Sequence, residues 1–400
     1  MSIQSQLSAI WRPIILPKAT SGATSTLQRS SQNLCLVSPT CFYLFGGELK
    51  PRTPVGDEVV KVSLKPTPSS STLSSEVDVR AKSGSESFWP RPRVGACMTR
   101  HPDPAKRSLI LWGGRGGKDM APLPYSSSQE EEGGKEDLWV YQTETNQWDC
   151  KSTSGDKPEM RSYGTAASVR SSDGRDILYV HAGCPSKGRL GTLHSLDLST
   201  NVWTQLPDAP GPARGGTVLA AISGSSSHPT EKLLARWGGF CGEEIGGPLD
   251  IFDPLKSSWS SHKVLIEGTL QEPPKRSVHG FVPFKSAKKF VTDKGEEKEG
   301  VAVLFMGEGQ GAPAELGHDG AGKFLEDIYI LLHSSDSDEY TFLKVEPSSI
   351  EGKGPEPRGW FAFDSWSDEE EGSTRIIIHG GLHETNERLS DAWLLEIKLV

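Results

Sequence analysis

Arg358-Gly359-Trp360-Phe361-Ala362-Phe363 is followed by Arg375-Ile376-Ile377-Ile378-His379-Gly380-Gly381, by Thr385-Asn386-Glu387-Arg388, and by Ser390-Asp391-Ala392-Trp393-Leu394-Leu395. The order is a basic residue and a glycine, an apolar strand, a turn, a second apolar strand ending in Gly-Gly, a polar loop, and a third strand after an acid. Weaker copies of this unit recur five times upstream, so the chain reads as a repeat protein.

The other five repeats start at Arg29, Arg93, Arg161, Arg214 and Arg276. A second strand ending in glycine follows each, at 42–47, 109–114, 177–183, 233–239 and 303–307; the copy in the last repeat is 376–381. Third strands fall at 59–64, 138–141, 193–196, 249–252, 328–332 and 392–395, usually after an acid or polar residue. Trp148, Trp203, Trp259 and Phe342 mark fourth strands, and 75–80 supplies one in the first repeat. Short alternating or apolar runs of this kind are half-buried and fully buried strands. Four antiparallel strands repeated six times predict an all-β, six-bladed propeller. The last repeat lacks a fourth strand, and residues 9–16, with Trp11, are predicted to supply it. Closing the ring this way removes open edges. The expectation is one propeller over 1–400, with a closing strand in 1–17 and blades starting near 29, 93, 161, 214, 276 and 358.

Successive arginine starts lie 64, 68, 53, 62 and 82 residues apart, more than the ~40–50 a minimal blade needs. The excess falls in polar stretches at 115–136, 286–299, 308–323 and 364–373. Their acid runs, Glu130 to Glu132 and Asp368 to Glu371, read as solvated loop tips.

The totals fit this reading. Glycine (43) and proline (28) are abundant while hydrophobic residues make up 35%, as in many short strands joined by turns. A net charge of −9 argues against nucleic acid as a partner. No apolar run approaches the ~18 residues of a membrane span, which argues against a membrane role. The N-terminal apolar run is too short for a signal-peptide core. The six cysteines are scattered, with no Cys-x-x-Cys pair, and read as reduced thiols of a cytoplasmic or nuclear protein.

Topology also locates a site. Strand one lies innermost in a blade, and its start shares a face with the loop between strands two and three. Arg29, Arg93, Arg161, Arg214, Arg276 and Arg358 are therefore predicted to ring the channel mouth. Such guanidiniums either pair with carboxylates of the scaffold or grip an anionic ligand. The loop acids weighed as partners are Glu48, Glu243, Glu244, Glu308 and Glu387. Arg115 and Arg388 add positive charge, and Trp360 either packs in the core or stacks on a planar ligand. Among histidines, His181 and His379 read as interior, His279 is a candidate to face the channel, and His318 lies in a glycine-rich loop. No Ser-His-Asp set, phosphate loop or thiolate metal cluster stands out, so no catalytic residue is assigned.

The Gly-Gly ends, the acid before strand three and the tryptophan on strand four resemble kelch repeats. Arg29, Phe45-Gly46-Gly47-Glu48, Trp112-Gly113-Gly114-Arg115, Arg161-Ser162-Tyr163, Arg276-Ser277-Val278, Gly307-Glu308, Arg358-Gly359-Trp360 and the Thr385–Arg388 string carry the likeness further. They resemble the plant specifier proteins, which form nitriles, epithionitriles or thiocyanates. That resemblance implies a six-bladed kelch propeller that steers a non-redox rearrangement or cleavage of an anionic small molecule, a lyase- or isomerase-type task, with ferrous iron. The region that would correspond to the iron site, 242–250, holds Glu243, Glu244 and Asp250 and no histidine. The other reading is a kelch module that binds an acidic peptide or protein on the same face.

Overall fold

A computed structural model describes residues 6–17, 27–65, 72–82, 88–126, 135–223, 232–292, 295–313, 315, 320–349, 352–368 and 371–399. His318 and Glu130 to Glu132 lie outside these residues.

The strands pair into six four-stranded antiparallel units. Blade 1 runs Asn33–Ser38, Cys41–Phe45, Val59–Lys65, Leu73–Arg80. Blade 2 runs Cys97–Arg100, Ser108–Trp112, Leu138–Gln142, Gln147–Lys151. Blade 3 runs Thr165–Arg170, Asp176–His181, Leu193–Asp197, Val202–Leu206, and blade 4 runs Val218–Ser223, Lys232–Trp237, Leu249–Asp253, Ser258–His262. Blade 5 runs Gly280–Pro283, Glu297–Phe305, Ile328–Ser334, Glu339–Val345. In blade 6, Ala362–Asp368, Ser373–His379 and Ala392–Leu399 are completed by Leu7–Ile15, which pairs antiparallel with the third strand and sets Trp11 opposite Leu395. The predicted closing strand thus forms. The polar stretch 286–299 is partly strand instead of loop, because 290–291 fold back on 297–298.

The six predicted arginines do not ring an open mouth. All are buried, at 0–3% exposure. Each guanidinium donates from Nη1 to the carbonyl of the residue that opens its own blade's glycine turn: Gly46, Gly113, Ala182, Gly238, Met306 and Gly380. In three blades the other edge of the fork meets the acid that precedes strand three. The pairs are Arg93 with Glu136 (2.8 and 2.7 Å), Arg276 with Asp327 (2.7 and 3.0 Å) and Arg358 with Asp391 (2.6 and 2.9 Å). Each acid is fixed in turn by an aromatic on strand three: Trp139, Tyr329 or Trp393. Where those three meet an acid, Arg161 meets the Thr192 hydroxyl (2.8 Å). Burial draws Arg29, Arg161 and Arg214, which have no carboxylate partner among the described residues, down to about 10. The acids weighed from sequence were the wrong ones. They lie beyond strand two, whereas the partners lie immediately before strand three.

Two closed rings of backbone hydrogen bonds join the blades. In one, the amides of Gly47, Gly114, Gly183, Gly239, Gly307 and Gly381 donate to the carbonyls of Arg93, Arg161, Arg214, Arg276, Arg358 and Arg29, each in the next blade round. In the other, the residues two beyond each arginine bond head to tail. Gly95 donates to Ser31, Tyr163 to Gly95, Gly216 to Tyr163, Val278 to Gly216, Trp360 to Val278, and Ser31 to Trp360. This geometry explains which glycine of each pair is required. The second sits at φ 96–119°, a region side chains rarely adopt. The first is in the ordinary left-handed region and is replaced by Ala182 (φ 58°) and Met306 (φ 52°).

Aromatics wedge between blades. Trp148 packs on Phe45, Trp203 on Trp112, Trp259 on His181 and Phe342 on Trp237, at centroid distances of 5.0–5.8 Å. In every case a fourth strand meets the residue just before the preceding blade's glycine turn.

Two changes test this scaffold by urea unfolding. Asp391→Ala leaves Arg358 buried without its carboxylate and is expected to destabilise by about 1–3 kcal/mol, less than for a fully buried pair because the Asp391 side chain is 41% exposed. Gly381→Ala forces a Cβ to 2.8 Å from the Gly359 carbonyl and Phe361 and is expected to destabilise by more than the ~1 kcal/mol of an average substitution, whereas Gly117→Ala, with nothing within 4 Å, carries only the backbone cost.

Candidate functional site

The first strands of all six blades surround a channel cavity of about 300 Å³. At its arginine end, the residue after each second glycine bridges to the residue after each arginine. The pairs are Ser30 with Glu48, Val94 with Arg115, Ser162 with Cys184, Gly215 with Phe240, Ser277 with Glu308 and Gly359 with Leu382. These short bridges set the post-glycine residues beside the start of each first strand.

Tyr163 and Trp360 meet there, edge to face at 5.2 Å. Both lie on the inner ring at positive φ, 52° and 57°. The Tyr163 ring lies across Gly95, where a Cβ would come within 2.6 Å of it. Burial, with Glu48 nearby, pushes the Tyr163 hydroxyl up to about 12. Arg115 stacks over Tyr163 at 5.3 Å and donates from Nε to the Ser162 hydroxyl (2.6 Å). Arg388 donates to Glu48 (2.9 Å). Across the mouth, the Trp360 indole donates to Glu308 (3.3 Å), and Arg189 stacks on Phe240 at 4.7 Å.

Two carboxyl groups close the far side. Glu244, on the Gly239–Phe240/Glu244–Ile245 hairpin, and Glu308 are 7% and 8% exposed. Burial pushes Glu244 up to about 8; the Ser277 side chain partly offsets this and the neighbouring Glu308 adds to it. Burial lifts Glu308 to about 7, against the bonds from Trp360 and Gly322. Burial thus favours the protonated form of both carboxyl groups, with Arg189 near Glu244 and Arg115 over the neighbouring Tyr163. A site with both can bind an anion and move a proton.

Of the residues expected to bind a ligand, Glu48, Arg115, Arg388 and Trp360 come together here. Arg29, Arg93, Arg161, Arg214, Arg276 and Arg358 do not; they belong to the scaffold. Tyr163, Arg189, Phe240 and Glu308 complete the site. Glu308 was legible only as a loop acid, and Tyr163 only as a residue two beyond an arginine.

Glu243, Glu244 and Asp250 do not meet as a metal site. Asp250 is buried in an ion pair with Arg236 and accepts from Ser261 (2.6 Å), while Glu243 is exposed. Among the described residues, no three His, Cys, Asp or Glu side chains are placed to hold a metal ion. The residues present do not fit the iron centre that the specifier resemblance implied. His181 and His379 are interior and hydrogen-bonded, to Thr192 and Arg236 and to Gln32 respectively. His279 is buried against Gly238 and Gly307, and neither ring nitrogen has a partner among the described residues.

Four-stranded blades locked by a buried arginine and a glycine turn define a kelch-type β-propeller. The chain belongs to the kelch-repeat family whose model, the KLHDC2/KLHL20/DRC7 Kelch-repeats domain, matches residues 32–292. It is 25% identical over 223 residues to acyl-CoA-binding domain-containing protein 4 of Arabidopsis thaliana, a match covering 51% of this chain and 26% of that protein. The matched region thus spans about a quarter of that relative's length. Among solved structures it is similar to YjhT, with a TM-score of 0.57 and 14% identity over 91% of this chain and 94% of the other. That likeness concerns the fold alone.

The carboxyl pair gives a pH test. Between the ordinary glutamate value near 4.5 and about 8, the folded chain keeps a proton on Glu244 that the unfolded chain releases. Stability therefore falls as pH rises through that window. Glu244→Gln is expected to match the native protein at pH 4 and to exceed it by a few kcal/mol at pH 9, read by thermal unfolding across that range.

Proposed function

We propose that this protein binds an anionic small molecule at the loop-face end of the channel and steers a non-redox rearrangement or elimination of it, in the manner of a specifier-like lyase or isomerase. The observation that supports this most directly is the placing of two buried carboxyl groups, Glu244 near Arg189 and Glu308 on the Trp360 indole, next to the Tyr163–Trp360 pair over which Arg115 stacks. Fixed guanidiniums stabilise a developing or departing anion. Glu308, held by the Trp360 indole, supplies or accepts the proton that such a step requires. The aromatic pair gives the ligand a floor. No step is assigned to a metal.

Thermal unfolding against sulfated, phosphorylated and carboxylated metabolites tests the proposal. A ligand at ~100-fold over its dissociation constant adds about 2.7 kcal/mol, visible as a raised midpoint. The gain is expected to vanish in Arg115→Gln and to shrink in Trp360→Leu, with the ligand-free midpoint of Arg115→Gln little changed. A native protein that no small anion stabilises, but that an acidic peptide does through Arg115, would replace this reading with a protein-interaction module.

A further inference from the structure

The charges at the arginine end of the channel are sorted by blade. Between blades 1 and 6 they cancel, because Arg388 donates to Glu48 (2.9 Å). Blades 2 and 3 contribute two guanidiniums whose partners are neutral: Arg115 rests on Tyr163 and the Ser162 hydroxyl, and Arg189 on Phe240. Blades 4 and 5 contribute two buried acids, Glu244 and Glu308, and neither forms an ion pair among the described residues.

These four groups follow one another along a single arc. Arg115 reaches Ser162, which bridges to Cys184. Cys184 lies against Gly215, where a Cβ would fall 2.6 Å from its sulfur, and Gly215 bridges to Phe240, the ring under Arg189. Phe240 pairs with Glu244 across its hairpin. The Arg276 amide donates to Ile245 of that hairpin (3.0 Å), and the adjoining Ser277 bridges to Glu308. Glu308 accepts from the Trp360 indole, whose ring meets Tyr163. Glu244 is left over. It is 7% exposed, and neither oxygen of its carboxyl meets a well-placed donor among the described residues; the buried Nε of Arg189 is likewise without an acceptor. Buried polar groups are nearly always partnered, so a buried acid in this state calls for a donor from outside. With no third His, Cys, Asp or Glu among the described residues placed to complete a metal site, an organic donor fits best.

We infer that the loop-face site takes a small zwitterion, with its carboxylate toward Arg115 and Arg189 and a primary ammonium group on Glu244, Glu308 standing behind it. This rests on the reading of that face as a small-anion site and names the class of ligand. An ammonium carries three donors and no acceptor, which suits the two open oxygens of Glu244. The guanidinium forks suit a carboxylate. The Tyr163–Trp360 pair lies beside the carbon skeleton, and its aromatic faces favour a cation. Burial holds Glu244 toward its protonated form; an ammonium beside it favours the carboxylate instead.

Isothermal titration calorimetry of the full chain with ω-aminohexanoate, hexanoate and hexylammonium, near neutral pH, tests the inference. The zwitterion is expected to bind about tenfold or more tighter than either singly charged analogue. Glu244→Gln, close in shape, should remove the difference between ω-aminohexanoate and hexanoate, whereas Glu243→Gln, at an exposed position of the same hairpin, should preserve it. Three results overturn the inference: hexanoate binding as tightly as ω-aminohexanoate, a preference for the zwitterion that persists in Glu244→Gln, or no binding of any of the three at millimolar concentration. The outcomes also separate the two readings. Hexanoate held through Arg115, with no gain from the ammonium, sinks the zwitterion and leaves the small-anion site standing. Hexylammonium held through Glu244 while hexanoate fails to bind sinks both. An unfolding midpoint of Glu244→Gln no lower than that of the native protein confirms that binding, not folding, is being read.

Discussion

Everything in this fold hangs on a buried guanidinium that donates to the carbonyl opening its own blade's glycine turn. That bond fixes the start of strand one against the end of strand two, across a backbone that must bend sharply. The carbonyl of the same arginine accepts the amide of the preceding blade's second glycine. One residue thus serves its own blade with its side chain and its neighbour with its backbone. Repeated six times, this closes a circle in which no blade has an independent position.

The cost of burying six cations is met unevenly. Three arginines have a bidentate carboxylate held by an aromatic; Arg29, Arg161 and Arg214 have none among the described residues. Charge-assisted bonds to carbonyls and close packing retain the latter. Replacing a buried ion pair outright by apolar groups is often harmless, while removing one partner is not. The uneven pairing is understandable in those terms: what the fold needs from each arginine is the bond to the glycine-turn carbonyl, and the acid is an addition.

Because the scaffold consumes the arginines, the side chains left at the channel end are those one step beyond each structural position. The residue after the second glycine and the residue two beyond the arginine are held at the channel end by backbone bonds, and those bonds leave the side chain of each free to vary. That freedom is why Glu48, Arg115, Cys184, Phe240, Glu308 and Leu382 differ so widely at one structural position. A rigid ring presents a variable set of side chains at fixed points, and here one of them, Glu308, meets Glu244 from the neighbouring 239–245 hairpin in a buried setting.

The sequence by itself determined the repeat, the propeller and the closure of the last blade by the N-terminal strand. Periodicity, glycine turns and aromatic spacing are local, and burying the apolar faces leaves few other solutions. It also grouped Glu48, Arg115, Arg388 and Trp360, which the structure sets close to one another at the arginine end of the channel. Only the tertiary structure decided which way the six arginines point and which acids they meet, because Glu136, Asp327 and Asp391 lie 33–51 residues from their partners. It alone brought Glu244 against Glu308 and committed Asp250 to Arg236. Whether a charged side chain serves a scaffold or a ligand depends on its burial and on what lies opposite, and both are properties of the packed ring.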